Sequence, residues 1–314
     1  MLTRRAFLAG AAAAFCRAEP DSRYRVGITT NTRGGWEKDV FLSFREAREA
    51  GFHFVESFIE YFGSYLDKPD ELLKKTSAIG VQFDTISNGG RMEMRFEDPA
   101  RHEAIVEEHL RLARFVKHLG CDHLKINTGR RRPEGTTDQD LKNMATVLDI
   151  IGRRITDETG MKFGVHAHMW SQLENRHEID AILSSTDPKH VWFVLDTGHI
   201  TMAGIDPAEL TRALGHRIIE FHLKDTKPEH RGGARKRVPP NDPMKNPIFF
   251  ELGKGGVDFP AIKAHLDEIG WRGWLTVELD SSPYRPPKES ARMSREYLEK
   301  TLGIAISLPV MPPA

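Results

Sequence analysis

Short apolar runs alternate with amphipathic stretches along almost the whole chain, and glycines punctuate the alternation. Runs of strand character lie at 24–29, 52–58, 81–87, 123–127, 162–168, 191–196, 218–223 and 274–279. Helical periodicity covers 37–50, 69–79, 99–119, 138–158 and 259–269. Gly51, Gly80, Gly120, Gly160 and Gly270 stand where those helices should stop. Apolar strands that alternate with helix-length connections predict a parallel sheet, and eight such units predict an α/β fold closed into a single (β/α)8 barrel. An open, doubly wound sheet is the competing architecture. It is disfavoured because no glycine-rich dinucleotide fingerprint follows the first strand.

The two ends of the chain read differently from its body. Thr3-Arg4-Arg5-Ala6-Phe7-Leu8 precedes an alanine-rich apolar stretch, and Cys16-Arg17-Ala18 offers a small-residue cleavage pattern. This predicts a twin-arginine-type export signal over 1–18, delivering an already folded protein to the periplasm or beyond. Its apolar part is too short to cross a bilayer and no later run is longer, so no stable membrane insertion is expected. Removing it takes away Arg4, Arg5, Arg17 and Cys16, leaving a slightly acidic chain with Cys121 as its single thiol and no internal disulfide. The barrel is expected over 24–305 and a proline-containing tail over 306–314. A stretch at 226–256, rich in Pro, Gly, Arg and Lys, is too long for a plain connection and reads as a lid or binding loop.

Charge narrows the partners. Forty-five basic residues balance forty-five acidic ones, which gives no electrostatic case for nucleic acid. The arginine runs at 130–132 and 231–237 read as solvated loop surface, with an anionic substrate as the alternative.

In a parallel barrel the C-terminal strand ends form the active face. Polar residues that no strand interior readily buries lie near those ends: Glu56, His166, His168, Asp196, His199, His222 and Glu278. The last four strands each carry at least one, and neighbouring strands make them converge. Mixed imidazole and carboxylate donors without thiolate suit Zn2+, Mn2+ or Co2+, with Mg2+ as the remaining option. Such an ion leaves positions open for substrate oxygens, and Glu278 or an imidazole is placed to move a proton. Trp36, Trp170, Phe249 and Phe250 are aromatic candidates for stacking on a sugar face.

Four strings in this order, Leu195-Asp196-Thr197-Gly198-His199, His222-Leu223-Lys224-Asp225, 252–259 (LGKGGVDF) and Gly273-Trp274-Leu275-Thr276-Val277-Glu278, resemble the xylose-isomerase-like TIM barrel superfamily of sugar isomerases, ketose epimerases and inosose dehydratases. The resemblance implies that Asp196, His222 and Glu278 are metal ligands, that His199 faces the substrate, and that Lys224 and Asp225 support the site. Where ketose epimerases carry a fifth-strand glutamate, this chain has His166. The string His166-Ala167-His168 with Glu174 six residues on is more similar to inosose dehydratases. Two options follow for the fourth ligand: His166 itself, or Glu174 folded back. His168, Lys224, Glu56 and Trp170 are the candidate substrate contacts, and Lys254 stands where the family often has an acidic or amide residue.

The expected function is metal-dependent isomerisation or epimerisation of a sugar, keto-sugar or cyclitol by proton abstraction next to a carbonyl. The alternative is elimination at the same site, as in an inosose dehydratase or on a keto-glycoside. A non-catalytic carbohydrate-binding barrel is the third reading. An abasic-site endonuclease is opposed by the balanced charge and the shortage of further ligands. The expected partners are a small sugar or cyclitol and, as an option, further copies of the chain in a homo-oligomer.

Overall fold

The computed structural model describes residues 23–89, 93–233 and 243–308; the predicted export signal and the end of the tail lie outside them. In chain order the strands are β1 (Tyr24–Thr29), β2 (Phe54–Phe58), β3 (Gln82–Ser87), β4 (His123–Ile126), β5 (Lys162–His166), β6 (Val191–Asp196), β7 (Ile218–Leu223), a short pair β8 (Asp225–Thr226) and β9 (Phe249–Phe250), and β10 (Gly273–Val277). Eight of them form one parallel sheet in the order β3-β2-β1-β10-β7-β6-β5-β4. The seam between β3 and β4 is bridged by side chains: Thr85 Oγ1 donates to the His123 carbonyl at 3.0 Å, and Asn127 N donates to Asn88 Oδ1 at 2.8 Å. The chain is therefore a single (β/α)8 TIM barrel.

The helices are α1 (Val40–Ala50), α2 (Pro69–Ile79), α3 (His102–His118), α4 (Asp138–Thr159), α5 (Arg176–Ser184), α6 (Thr197–Met202), α7 (Pro207–Leu214), α8 (Phe259–Glu268) and α9 (Pro287–Lys300). Glycine stops do what the sequence predicts: Gly51 and Gly160 follow α1 and α4 with φ of 102° and 69°, a conformation that costs other residues energy. Four helices lie outside the five periodic stretches read from the sequence: α5, α6, α7 and α9. The first carried a readable start signal, since Asn175 and Glu178 form a reciprocal capping box. Apolar side chains from the strands and from the inward helix faces, among them Phe44, Val147, Phe163 and Phe221, fill the layer between sheet and helices.

The interior of the barrel is polar where a packed apolar core is the usual filling. Glu220 accepts from His123 Nε2 at 2.9 Å and from Thr276 Oγ1 at 2.5 Å, and all three are buried. Above them Glu56 accepts from Lys125 Nζ at 3.0 Å. Gly27 makes room for this layer, because a Cβ there would lie 2.0 Å from Asp84 Oδ2.

Within the stretch at 226–256, the described residues on either side of 234–242 are tied together by specific contacts. β8 and β9 pair antiparallel, and Asp225 organises the glycine-rich segment beyond them. Its Oδ2 accepts from Gly253 N and Gly255 N, both at 2.9 Å, and its Oδ1 from Thr226 N and Val257 N at 2.8 and 3.0 Å. Gly255 is required for that approach, since a Cβ would sit 1.6 Å from the Thr226 carbonyl oxygen. Asp225→Ala leaves four N–H groups without their acceptor. At roughly 1 kcal/mol per bond it should lower stability by about 3 kcal/mol or more in urea unfolding, with Asp225→Asn intermediate; an unchanged midpoint would show that the segment is held otherwise. At the other end, Ser307 Oγ accepts from Val26 N at 2.8 Å, so the start of the tail is tied to β1.

Candidate metal centre

Four of the expected residues meet at the strand ends. His166 closes β5, Asp196 closes β6, His222 lies on β7 opposite Asp196, and Glu278 follows β10. Each offers one donor atom, and the four atoms all lie within 4.8 Å of one another in buried surroundings. His222 Nδ1 is 2.5 Å from Glu278 Oε2, and Asp196 Oδ2 is 3.6 Å from His166 Nε2.

Two of these atoms carry the case for a cation. His166 Nε2 and Asp196 Oδ2 are buried and have no hydrogen-bond partner. Buried polar atoms are ordinarily satisfied, and a pair of them facing one another at the floor of a cavity fits a divalent ion. Glu56, Glu220 and His222 form a second such group. Its carboxylates, however, already bind Lys125 and His123, so the first group has the freer donors.

Outer partners orient both imidazoles. His222 Nε2 donates to Glu56 Oε2 at 2.7 Å, leaving Nδ1 toward the cluster. His166 Nδ1 is 2.8 Å from Asn127 Oδ1, leaving Nε2 toward it. The Lys224 ammonium lies beside the group, 3.2 Å from Asp196 Oδ2 and Glu278 Oε2, 2.7 Å from Asp280 Oδ1 and 3.1 Å from His199 Nε2.

These charges set the protonation states. Burial pushes the Asp196 carboxyl up to about 7, against the pull of Lys224. Burial also opposes ionisation of Glu278, but Lys224 and His222 outweigh it and hold the carboxyl well below its usual range. For His222, burial is outweighed by Glu56 and Glu278, which raise it well above an ordinary imidazole. Burial and Lys125 keep His166 neutral, and burial with Lys224 pushes His168 down to about 4. An ion entering the cluster must therefore displace a proton from His222 and, below about pH 7, one from Asp196. Both sites are more fully protonated as pH falls, so divalent-metal affinity should rise between pH 6 and pH 8. Titrations at the two pH values check this; an affinity that does not change would contradict it.

A cavity of about 790 Å³ opens above the cluster, lined among others by Asn31, Arg33, Tyr61, Lys125, Asn127, His166, His168, Trp170, Phe249, Glu278 and Asp280. His168 and Trp170 form one wall. Trp170 is held at φ 67°, a strained conformation for a non-glycine residue. Its N–H donates to Glu174 Oε2 and its carbonyl accepts from Arg131 N, each at 2.6 Å.

The structure thus brings His166, Asp196, His222 and Glu278 together, with Lys224, His199 and Glu56 in direct contact with members of the group. It does not bring in Glu174, whose carboxylate is engaged by the backbone of its own loop and is absent from the cluster. Glu174→Ala should accordingly leave metal affinity within about twofold, unlike loss of an outer partner to a ligand, while changing tryptophan fluorescence through Trp170; a large loss of metal would return Glu174 to the ligand set. His199 is only 1% exposed and lies against His168, ring centroids 3.7 Å apart and planes tilted by 41°, so His168 takes the cavity wall in its place. Asp225 braces the loop rather than the cluster. Lys254 is exposed, and Trp36 is buried with its Nε1 on Glu46, away from the cavity. Arg131 and Arg132 pair with Glu178 and Asp140 instead of facing a ligand. Sequence reasoning missed Lys125, Asn127 and Asp280. The first was findable as a charged residue in a short apolar strand, the signal that singled out Glu56 two strands earlier.

Among the described residues no helix is long and apolar enough to cross a membrane. The family model described as xylose isomerase-like TIM barrel matches residues 44–301. Inosose dehydratase from Lacticaseibacillus casei is 32% identical over 170 residues, an alignment spanning 54% of this chain and 57% of that one. The chain thus spans a little over half the length of that relative. Among solved structures, the IOLI protein with a bound zinc atom superposes with a TM-score of 0.69 at 17% identity, over 90% of this chain and 100% of that one. D-psicose 3-epimerase with D-tagatose from Clostridium cellulolyticum H10 gives a TM-score of 0.69 at 14% identity, over 90% and 100%. At these identities the two structures speak for the fold.

Proposed function

The chain belongs to the xylose isomerase-like TIM barrel family, and from that premise we propose that it is a divalent-metal-dependent, sugar-modifying enzyme that moves a proton next to the carbonyl of a keto-sugar or cyclitol. The observation that carries this reading is a pair of buried atoms facing each other under the cavity: His166 Nε2, which has no hydrogen-bond partner, and Asp196 Oδ2, which makes no hydrogen bond and has only the Lys224 ammonium beside it. His166, Asp196, His222 and Glu278 are the residues that would hold the ion. When bound, a divalent ion supplies Lewis acidity that polarises a substrate carbonyl and acidifies the adjoining C–H.

The protein's own groups do the rest. Glu278 lines the cavity and stays ionised beside Lys224, so it accepts the proton. The His168 Nδ1 bonds the Met169 carbonyl, which can only accept, so Nδ1 carries the proton and Nε2 is left as an acceptor for a substrate hydroxyl. Lys224 balances the negative charge of Asp196, Glu278 and Asp280 without itself losing a proton, because those carboxylates raise its pKa. Trp170 and Phe249 offer ring faces to an apolar sugar surface.

Return of the proton to another carbon or face makes the enzyme an isomerase or epimerase. Loss of a β-hydroxyl as water makes it a lyase, and His166 favours that second reading: the fifth strand lacks the glutamate that two-base epimerisation uses. The inosose dehydratase relative supports it as well.

Incubation with inososes and ketohexoses in D2O tests both readings. Deuterium should enter next to the carbonyl only in metal-loaded protein, with a product of unchanged skeleton for isomerisation or one lacking water for elimination. Turnover by fully chelated protein contradicts the proposal. Sugar-dependent thermal stabilisation with no exchange would leave a binding barrel instead. We further propose export through the segment at 1–18, which Arg4→Lys with Arg5→Lys should block in a localisation assay.

A further inference from the structure

His166 is the position at which this chain departs from the glutamate-bearing pattern, and the protein must decide which of its two ring nitrogens carries the proton. Asn127 Nδ2 lies 3.0 Å from the Gly89 carbonyl oxygen, which can only accept. The carboxamide is therefore oriented with its NH2 toward Gly89 and its Oδ1 toward His166. The opposite orientation would set two oxygens face to face. Asn127 cannot swing away, because Asn88 grips its main chain from both sides: Asn127 N donates to Asn88 Oδ1 at 2.8 Å, and Asn88 Nδ2 donates to the Asn127 carbonyl at 3.0 Å. With Oδ1 fixed 2.8 Å from His166 Nδ1, that nitrogen must be the N–H.

We propose that Asn127 is a positioning residue that locks His166 into the Nδ1–H tautomer, so that the bare Nε2 lone pair points at Asp196 and the ligand cluster. Replacing the clamp would let the ring donate from Nε2 to Asp196 Oδ2, 3.6 Å away, after a small approach, and would tie these two ligand atoms to each other. Asn127 thus keeps the floor of the site short of one partner, which an ion or a substrate hydroxyl supplies.

The first test reads the tautomer in the parent protein without a metal. Long-range 1H–15N spectra of the full chain, chelator-treated and labelled at histidine, with the His166 signals assigned by His166→Gln, should show the proton on Nδ1; a proton on Nε2 overturns the proposal. The second test titrates Co2+ at fixed pH. Asn127→Leu should weaken binding by about 10–100-fold and populate the Nε2–H form. In a His166→Ala background the same change should have no further effect. An equal loss in both backgrounds means that Asn127 acts only through the general fold, and contradicts the assignment. The tautomer readout holds or fails independently of the metal reading.

Discussion

Asp196→Asn should abolish tight divalent-metal binding, and with it turnover, at a smaller cost in stability than loss of Lys224, because Lys224 keeps Glu278 and Asp280 as partners. Asp196 does two separable things. Its Oδ1 accepts from His199 N at 2.7 Å and caps the short helix α6, a role that asparagine fills as well. Its Oδ2 is buried, makes no hydrogen bond, and has the Lys224 ammonium 3.2 Å away. The amide keeps the cap, removes the charge, and turns the second position into a donor aimed at His166 Nε2. Affinity should fall by roughly 100-fold or more, since losing even an outer partner of a ligand typically costs 10–100-fold. Asp196→Ala should lose the metal equally but also about 1 kcal/mol of stability with the cap. Calorimetric titration with Mn2+ beside urea unfolding separates the two effects. An amide variant that binds as tightly as the parent would remove Asp196 from the ligand set.

Lys224→Met has the second large effect, and it should appear in stability. The ammonium is fully buried and serves Asp196, Glu278 and Asp280 at once. Methionine fills much of the volume but leaves buried carboxylates without their cation. Breaking a buried pair from one side costs about 3–5 kcal/mol, and here three acids share the loss. The metal-free variant should unfold at markedly lower denaturant, and an added divalent ion should restore more stability to it than to the parent, because the ion replaces the missing positive charge. Equal stability of the two metal-free proteins would show that the Lys224 network is not what balances the site.

The barrel was legible because its signals are local. Each strand is a short apolar run, and each glycine stop acts on the helix beside it, as Gly51 and Gly160 show. The four clustered residues were legible for a related reason: parallel strands of equal rise bring their ends to one level, so Asp196 and His222, 26 residues apart, face each other directly. What escaped depends on pairs far apart in the chain. Asn127 matters only because His166, 39 residues on, presents Nδ1 to it. Asp280 gains its place from Lys224, 56 residues earlier. Glu174 is the converse. Its spacing from His166 invited a ligand role, whereas the left-handed backbone at Trp170, invisible in composition, draws its carboxylate into the loop.

The central claim is that this barrel holds a metal through His166, Asp196, His222 and Glu278. Anomalous scattering from crystals of the full chain grown with Mn2+ tests it most directly. The account predicts a single strong peak bounded by His166 Nε2, Asp196 Oδ2, His222 Nδ1 and Glu278, with Glu174 still bonded to Trp170 N. A peak coordinated by Glu174 in place of His166, or no peak at these four residues in Mn2+-loaded crystals, would contradict it.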